Sequence, residues 1–310
     1  MTKLKIGLAL GSGSSRGWSH IGVINALAEQ GITPDIVCGT SMGALVGASY
    51  SAGNLAKLEK WVSVLTKFDT ARLFEVNSTF NGFVNTQRLH HLFNELVASN
   101  DSLIEDLPKK YASVATDLET GREIWLKKGP LLEAVWSSIS LPGLFPAIRK
   151  NDKWLVDGGL VNPVPVSVCR AMGADVVIAV NLNGDIVGKR FRKLQKVEKK
   201  TVESEAVITN GVMDKFTEMV EGYTASLFST KKDKDQSPSL FETIASSVNI
   251  TQDRITKSRM VGDPPDILLS PKLSQIGLLE LYRGNEAIAE GEKCVKRMLP
   301  DIQRILDVGI

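Results

Sequence analysis

The sequence predicts an α/β protein with a mostly parallel central sheet covered by helices. Three observations carry this. A short apolar run at 3–10 stops at a glycine, as a buried strand does. A segment with helical spacing of Ile21, Ile24, Leu27 and Ala28 follows at 19–30 and is closed by Gly31. A second apolar run, 35–39, then opens straight into a helix of small residues at 44–51. A β-loop-α-β-turn-α order needs crossover connections, and crossovers make neighbouring strands parallel.

Later elements extend the pattern. Strands are expected at 111–117 and 122–127, joined by a tight turn at 118–121. Two more are expected at 154–156 and 175–180, with a helix at 166–172 between them. The character changes after Asn183. Segment 189–200 holds seven Lys or Arg against one acid, Glu198. Segment 207–228 has amphipathic spacing, and 231–239 reads as a polar linker. A strand near 266–269 and a helix over 278–299 follow. The reading is one domain, 1–310: a core at 5–182, a charged and amphipathic helical insertion near 185–260, and a closing strand and helix at 261–310.

Composition excludes several classes. With 310 residues, 43% hydrophobic and 23% charged, the chain can bury a large core. A net charge of +2 does not fit a dedicated nucleic-acid binder. The apolar run 6–10 is shorter than the ~7–15 residues of a signal-peptide core. No apolar stretch nears the ~20 residues of a membrane span. Cys38, Cys169 and Cys294 are odd in number, with no CxxC pair. Reduced thiols and a cytoplasmic location are therefore expected, with no metal site.

Gly39-Thr40-Ser41-Met42-Gly43 matches G-x-S-x-G between a strand and a helix. Such a turn lifts a serine onto a helix N-terminus, where the dipole favours a developing anion. An ordinary tight turn would also produce the pattern. A Ser…Asp/Glu…His order would need a late histidine. The three histidines are His20, His90 and His91, all within the first third of the chain. His90 and His91 are adjacent on a helix and point apart, so packing or surface roles suit them better. Asp157-Gly158-Gly159, after the strand at 154–156, offers a carboxylate able to approach another segment closely. A plain Asp-Gly turn is the competing reading. An aspartate serves as a base near neutral pH when burial raises its pKa.

Gly11-Ser12-Gly13-Ser14-Ser15-Arg16-Gly17 links the first strand to the first helix, an arrangement whose amides can face an anion. A dinucleotide fingerprint would need glycine where Arg16 stands and an acid ending the second strand. A Walker A loop would need Gly-Lys-Ser/Thr. An oxyanion hole is the competing reading, with nucleotide binding kept as the alternative.

Taken together, the Gly-rich loop ending Arg16-Gly17, the GTSMG turn and LVDGG at 155–159 resemble the patatin-like phospholipase family, in its bacterial branch related to neuropathy target esterase. GWSHIGV at 17–23, SLPGLFPA at 140–147, DGGLVNPVP at 157–165 and IGLLELYRGNEAIAEGE at 276–292 extend the likeness. The resemblance implies a three-layer α/β/α fold and a Ser-Asp dyad of Ser41 and Asp157. It also implies an oxyanion hole around Ser12, Gly13 and Ser14, with Gly11, Arg16, Gly17, Gly39, Gly43, Gly158 and Gly159 in support. Lipid acyl esters would be the substrates, and no cofactor would be needed. The family typically has three consecutive glycines where Ser12-Gly13-Ser14 stands, and a left-handed serine costs roughly 1–2 kcal/mol more than glycine.

The Leu141-Pro142-Gly143-Leu144-Phe145-Pro146 loop is expected to line an acyl pocket. The basic 189–200 tract beside 207–228 suits peripheral contact at the inner membrane surface; a solvated helix followed by a packing or dimer helix is the alternative. Homo-oligomerisation stays open. A non-catalytic regulatory or interaction protein that keeps the fold, and a nucleotide-binding enzyme, are the rival functions.

Overall fold

The computed structural model describes residues 4–73, 86–186 and 240–308. The segments 189–200, 207–228 and 231–239 lie outside the described residues. The chain opens with β1 (Ile6–Leu10), a 3-10 turn over Ser14–Trp18, α1 (Ser19–Glu29), β2 (Ile36–Thr40) and α2 (Met42–Ser51). Then come α3 (Leu55–Ser63), α4 (Lys67–Leu73), α5 (Thr86–Leu96), β3 (Lys110–Asp117) and β4 (Glu123–Leu126). They are followed by α6 (Leu131–Ile139), β5 (Ile148–Lys150), β6 (Lys153–Asp157), α7 (Val166–Ala171) and β7 (Val176–Val180). The last described elements are α8 (Leu240–Gly262), β8 (Ile267–Leu269) and α9 (Gly284–Val308).

The strands form one sheet in the order β5-β6-β3-β2-β1-β7-β8, with β4 also paired to β3. The pairings β3–β2, β2–β1, β1–β7 and β7–β8 are parallel. Those of β3 with β4, β3 with β6 and β5 with β6 are antiparallel. The sheet is thus mixed: a parallel half and an antiparallel edge that delivers β6.

Alternation along the strands makes two cores. Leu8, Leu10, Val37, Tyr111, Ile178 and Val180 face the core shared with α1, α2, α3, α5, α6 and α9. Ala9, Ile36, Cys38, Ala112, Val114, Val177 and Ala179 face α7, with Met260 of α8 packed beside them. Helices therefore cover both faces, and the fold is a three-layer α/β/α sandwich. The first helix and the last described one cross at backbone contact. A Cβ on Gly22 would lie 1.9 Å from the Ile288 carbonyl oxygen, and one on Gly291 would lie 2.1 Å from that of Ser19.

The strand at 148–150 was not expected from sequence. It is three residues long and none of them is fully buried. The closing helix, expected at 278–299, starts at Gly284 and runs on past Pro300; residues 281–283 form a separate 3-10 turn.

Candidate functional site

Strand β3 is the ruler of the site. Thr40, the last residue of β2, lies opposite Val114, and Asp157, the last residue of β6, lies opposite Ala115. Strands from opposite sides, running in opposite directions, thus end beside adjacent positions of one strand. Ser41 follows Thr40 in a left-handed conformation, φ 56°. Only glycine fits on either side of this elbow. A Cβ on Gly39 would lie 2.4 Å from the Gly43 carbonyl oxygen, and one on Gly43 would lie 2.1 Å from that of Leu10. Non-glycine residues with positive φ store roughly 1–3 kcal/mol each, so the surroundings must hold this one. The Ser41 N–H donates to Ser138 Oγ at 2.9 Å, and the Ser138 hydroxyl donates to the Val114 carbonyl at 2.6 Å.

The Ser41 hydroxyl donates to Asp157 Oδ2 at 2.6 Å. Asp157 Oδ1 accepts the Gly159 N–H at 2.7 Å. The backbone of Asp157 is fixed as well. Its N–H donates to the Ser140 carbonyl at 3.0 Å, and its carbonyl accepts the Thr116 hydroxyl at 2.8 Å. Asp157 is only 1% exposed. Burial pushes its pKa up to about 6, against the opposing pull of the Ser41 hydroxyl and the Gly159 N–H. The carboxylate is then mostly ionised at neutral pH, yet far more basic than a solvated aspartate.

The Gly-rich loop lies against this elbow. A Cβ on Gly17 would sit 2.4 Å from Met42 Cβ. His20 is fully buried, and its Nε2 contacts the Gly11 carbonyl at 2.7 Å, which fastens α1 to the loop. Desolvation lowers the His20 pKa to about 4, so the ring is neutral and Nε2 is the donor.

The three residues expected to form the oxyanion hole have different environments. The Ser12 N–H donates to the Pro163 carbonyl at 2.8 Å, and its hydroxyl donates to Gln252 Oε1 at 2.9 Å. Its amide is thereby committed elsewhere. Gly13 is extended at φ 176°. Ser14 takes the left-handed conformation, φ 48°, and lines the same cavity as Ser41. Its hydroxyl donates to the Leu278 carbonyl at 2.5 Å, which helps to offset the strain.

Arg16 is buried and reaches away from the serine. Its Nη2 donates to Asn249 Oδ1 at 2.9 Å and to Asn183 Oδ1 at 3.2 Å. Gly158 and Gly159 are buried with Asp157. A Cβ on Gly158 would lie 2.1 Å from the Val114 carbonyl oxygen, and one on Gly159 would lie 2.4 Å from Gln252 Nε2.

A cavity of about 90 Å³ opens on Ser41 and Asp157. Its wall is apolar, with Leu58, Trp61, Leu89, Phe93, Leu96 and Ile139 among the lining side chains. Leu141, Leu144 and Phe145 line it too, as expected for their loop. His90 stacks on Trp136 with ring centroids 4.3 Å apart.

Residues 8–170 match the family model described as patatin-like phospholipase. This chain belongs to the patatin-like phospholipase family. An uncharacterized NTE family protein of Mycobacterium tuberculosis is 29% identical over 330 residues, covering 95% of this chain and 91% of that one. Human patatin-like phospholipase domain-containing protein 6 is 35% identical over 192 residues, which span 59% of this chain and 14% of the human protein. Lysophospholipase NTE1 of Yarrowia lipolytica is 36% identical over 187 residues, 57% of this chain and 12% of its own.

In this patatin-like protein some site residues carried no sequence motif. Ser138, Thr116, Asn183 and Gln252 act through contacts between distant segments. One signal existed: Asn249, Gln252, Asp253 and Thr256 follow helical i, i+3, i+4, i+7 spacing, and all four are buried. Among the described residues, no helix is long and apolar enough to cross a membrane.

Proposed function

We propose that this protein hydrolyses acyl esters of phospholipids, lysophospholipids or related lipids, with Ser41 as nucleophile and Asp157 as general base. The observation that carries the reading is the 2.6 Å hydrogen bond from the Ser41 hydroxyl to a buried carboxylate that faces an apolar cavity. The names of its relatives, phospholipase and lysophospholipase, agree with it.

The chemistry follows from the geometry. Ser41 Oγ attacks the acyl carbonyl as its proton passes to Asp157 Oδ2. The oxyanion forms at the N-terminus of α2, where the dipole and the amides of Gly13 and Ser14 stabilise it. Collapse expels the alcohol, which takes the proton from Asp157, and leaves an acyl-Ser41 ester. Asp157 then draws a proton from water, and the hydroxide character so generated attacks the acyl carbon. The Ser41 Oγ–acyl bond breaks as Asp157 returns the proton to Ser41 Oγ, which restores the free hydroxyl and the carboxylate. No step requires a metal or a cofactor. The apolar wall holds the acyl chain and excludes water from the carboxylate, which keeps its pKa raised.

A fluorophosphonate probe should label Ser41 in the wild type, leave Ser41→Ala unlabelled, and block ester turnover on labelling. Turnover in Asp157→Asn at the wild-type rate would remove the base from the proposal. A chain that turns over no ester and takes no label would favour the non-catalytic reading.

A further inference from the structure

The outer faces of α3 and α4 carry a composition unlike that of an ordinary solvated helix. Lys57, Lys60, Lys67 and Arg72 are exposed there. The two acids of the segment have local partners: Glu59 accepts from Asn25 Nδ2 at 3.0 Å, and Asp69, at the surface, caps α4 by accepting the Thr66 N–H at 3.0 Å and the Thr66 hydroxyl at 2.6 Å. Exposed charges on α9, by contrast, have both signs, such as Glu286, Lys293, Lys296, Asp301 and Arg304. Between the cations of α3 and α4, Val64 and Phe68 are 69% and 57% exposed. Arg72 lies over the Phe68 ring at 4.6 Å.

Singly exposed apolar residues are common and mean little. Here they stand beside four exposed cations with one surface carboxylate, Asp69, among them, and the opposite faces of the same helices supply Leu58, Trp61 and Leu73 to the wall of the cavity above Ser41. Apolar side chains flanked by cations suit the boundary between anionic headgroups and acyl chains. We propose that the outer face of α3 and α4 is a docking surface for an anionic lipid bilayer. The proposal rests on the lipid-ester hydrolase reading, because it places the wall of the acyl cavity against the layer that holds the substrate. It is separate from the basic 189–200 tract.

The test is co-sedimentation of the full chain with vesicles of phosphatidylcholine, alone or mixed with phosphatidylglycerol. The wild type should bind the mixed vesicles at least about tenfold more tightly than the neutral ones, and lose that preference in high salt. Val64→Ser combined with Phe68→Ser, and Lys57→Glu combined with Lys60→Glu, should each weaken binding to the mixed vesicles by about tenfold or more. Both should keep the wild-type kcat on a short water-soluble p-nitrophenyl ester, since none of the four residues lines the cavity. Variants that bind as the wild type does would overturn the proposal. So would variants whose only change is in oligomeric state by light scattering, since the face would then seat a second copy. Binding is read in Ser41→Ala as well, so failure of the hydrolase reading would show separately, as lost ester turnover in the wild type with vesicle binding intact.

Discussion

The Ser12 hydroxyl and the side-chain oxygen of Gln252 meet at 2.9 Å across 240 positions of sequence. Gln252 Oε1 also accepts from Asn183 Nδ2 at 3.0 Å, and its Nε2 lies against the backbone of Gly159. One residue of α8 therefore touches both the Gly-rich loop and the turn that holds the base. The serine at position 12 makes this link; a glycine there could not. Gln252→Leu should lower kcat about tenfold or more with little change in KM, because buried partners lose their bonds at roughly 1–3 kcal/mol each while the cavity is untouched. Gln252→Glu, which keeps the acceptor for Ser12, should recover part of the loss. In a Ser12→Gly background the Gln252→Leu penalty should shrink. Equal penalties in the two backgrounds, from steady-state kinetics, would show that the link does not act through the loop.

The pH profile of kcat/KM should have one ascending limb. Asp157 must be ionised to accept the Ser41 proton, and its pKa is raised to about 6 by burial. Activity should fall about tenfold per pH unit below that point and level off above it. The neighbouring histidine of the loop, His20, titrates near 4 and so leaves the limb unshaped at its midpoint. A midpoint close to 4 would mean that the carboxylate is solvated during turnover.

Stability should move the other way. The folded pKa of Asp157, about 6, exceeds the unfolded value of about 3.9. Between those values the native state holds the extra proton, so this group's contribution to stability falls as pH rises through the window. Above pH 6 the cost of the buried charge is fully present, at about 3 kcal/mol. Asp157→Asn should therefore be inactive yet more resistant to urea at pH 7.5, with the gain shrinking toward pH 4. Urea midpoints at the two pH values measure it.

Ser138→Ala should harm both the fold and the reaction. It removes the acceptor of the Ser41 N–H at a buried position. An unsatisfied buried N–H costs roughly 1–3 kcal/mol, and the left-handed elbow loses a restraint. A lower urea midpoint together with a fall in kcat of about tenfold or more is expected. A lower midpoint with unchanged kcat would make Ser138 purely structural.

Position Gly291 should tolerate no side chain. A Cβ there would collide with the Ser19 carbonyl oxygen at 2.1 Å, and backbone cannot move aside as a flexible side chain can. Gly291→Ala should lower stability by about 3 kcal/mol, at the upper end of overpacking costs. Thermal unfolding checks it.

The elbow was legible in the sequence because its physics is local. Gly39 and Gly43 mark where a strand meets a helix with no room for a Cβ, and five residues carry the whole signal. Asp157-Gly158-Gly159 was legible as a strand-end carboxylate. Its meeting with Ser41, however, depends on β6 running antiparallel beside β3, which no local pattern encodes. The edge strand β5 was too short to show a period. Residues 240–260 fell within the expected insertion, yet the buried polar stripe of α8 braces the Gly-rich loop. A stripe of Asn, Gln, Asp and Thr looks solvated until its partners, Arg16, Ser12 and Asn183, are folded against it. Of the two serines that replace glycines, one binds α8 and the other accepts strain for a bond to Leu278, contacts that span most of the chain.

The close seating of Gly22 against Gly291 has a consequence for the order of synthesis. A ribosome releases Ser41 within the first fifty residues, but α9, the helix that locks the opening segment, emerges long afterwards. Until then the loop before Ser41 has neither its late-chain braces nor the helix behind it. A nascent chain thus carries Ser41 well before the segments that brace its loop exist, so the site can be assembled only after α9 has left the ribosome.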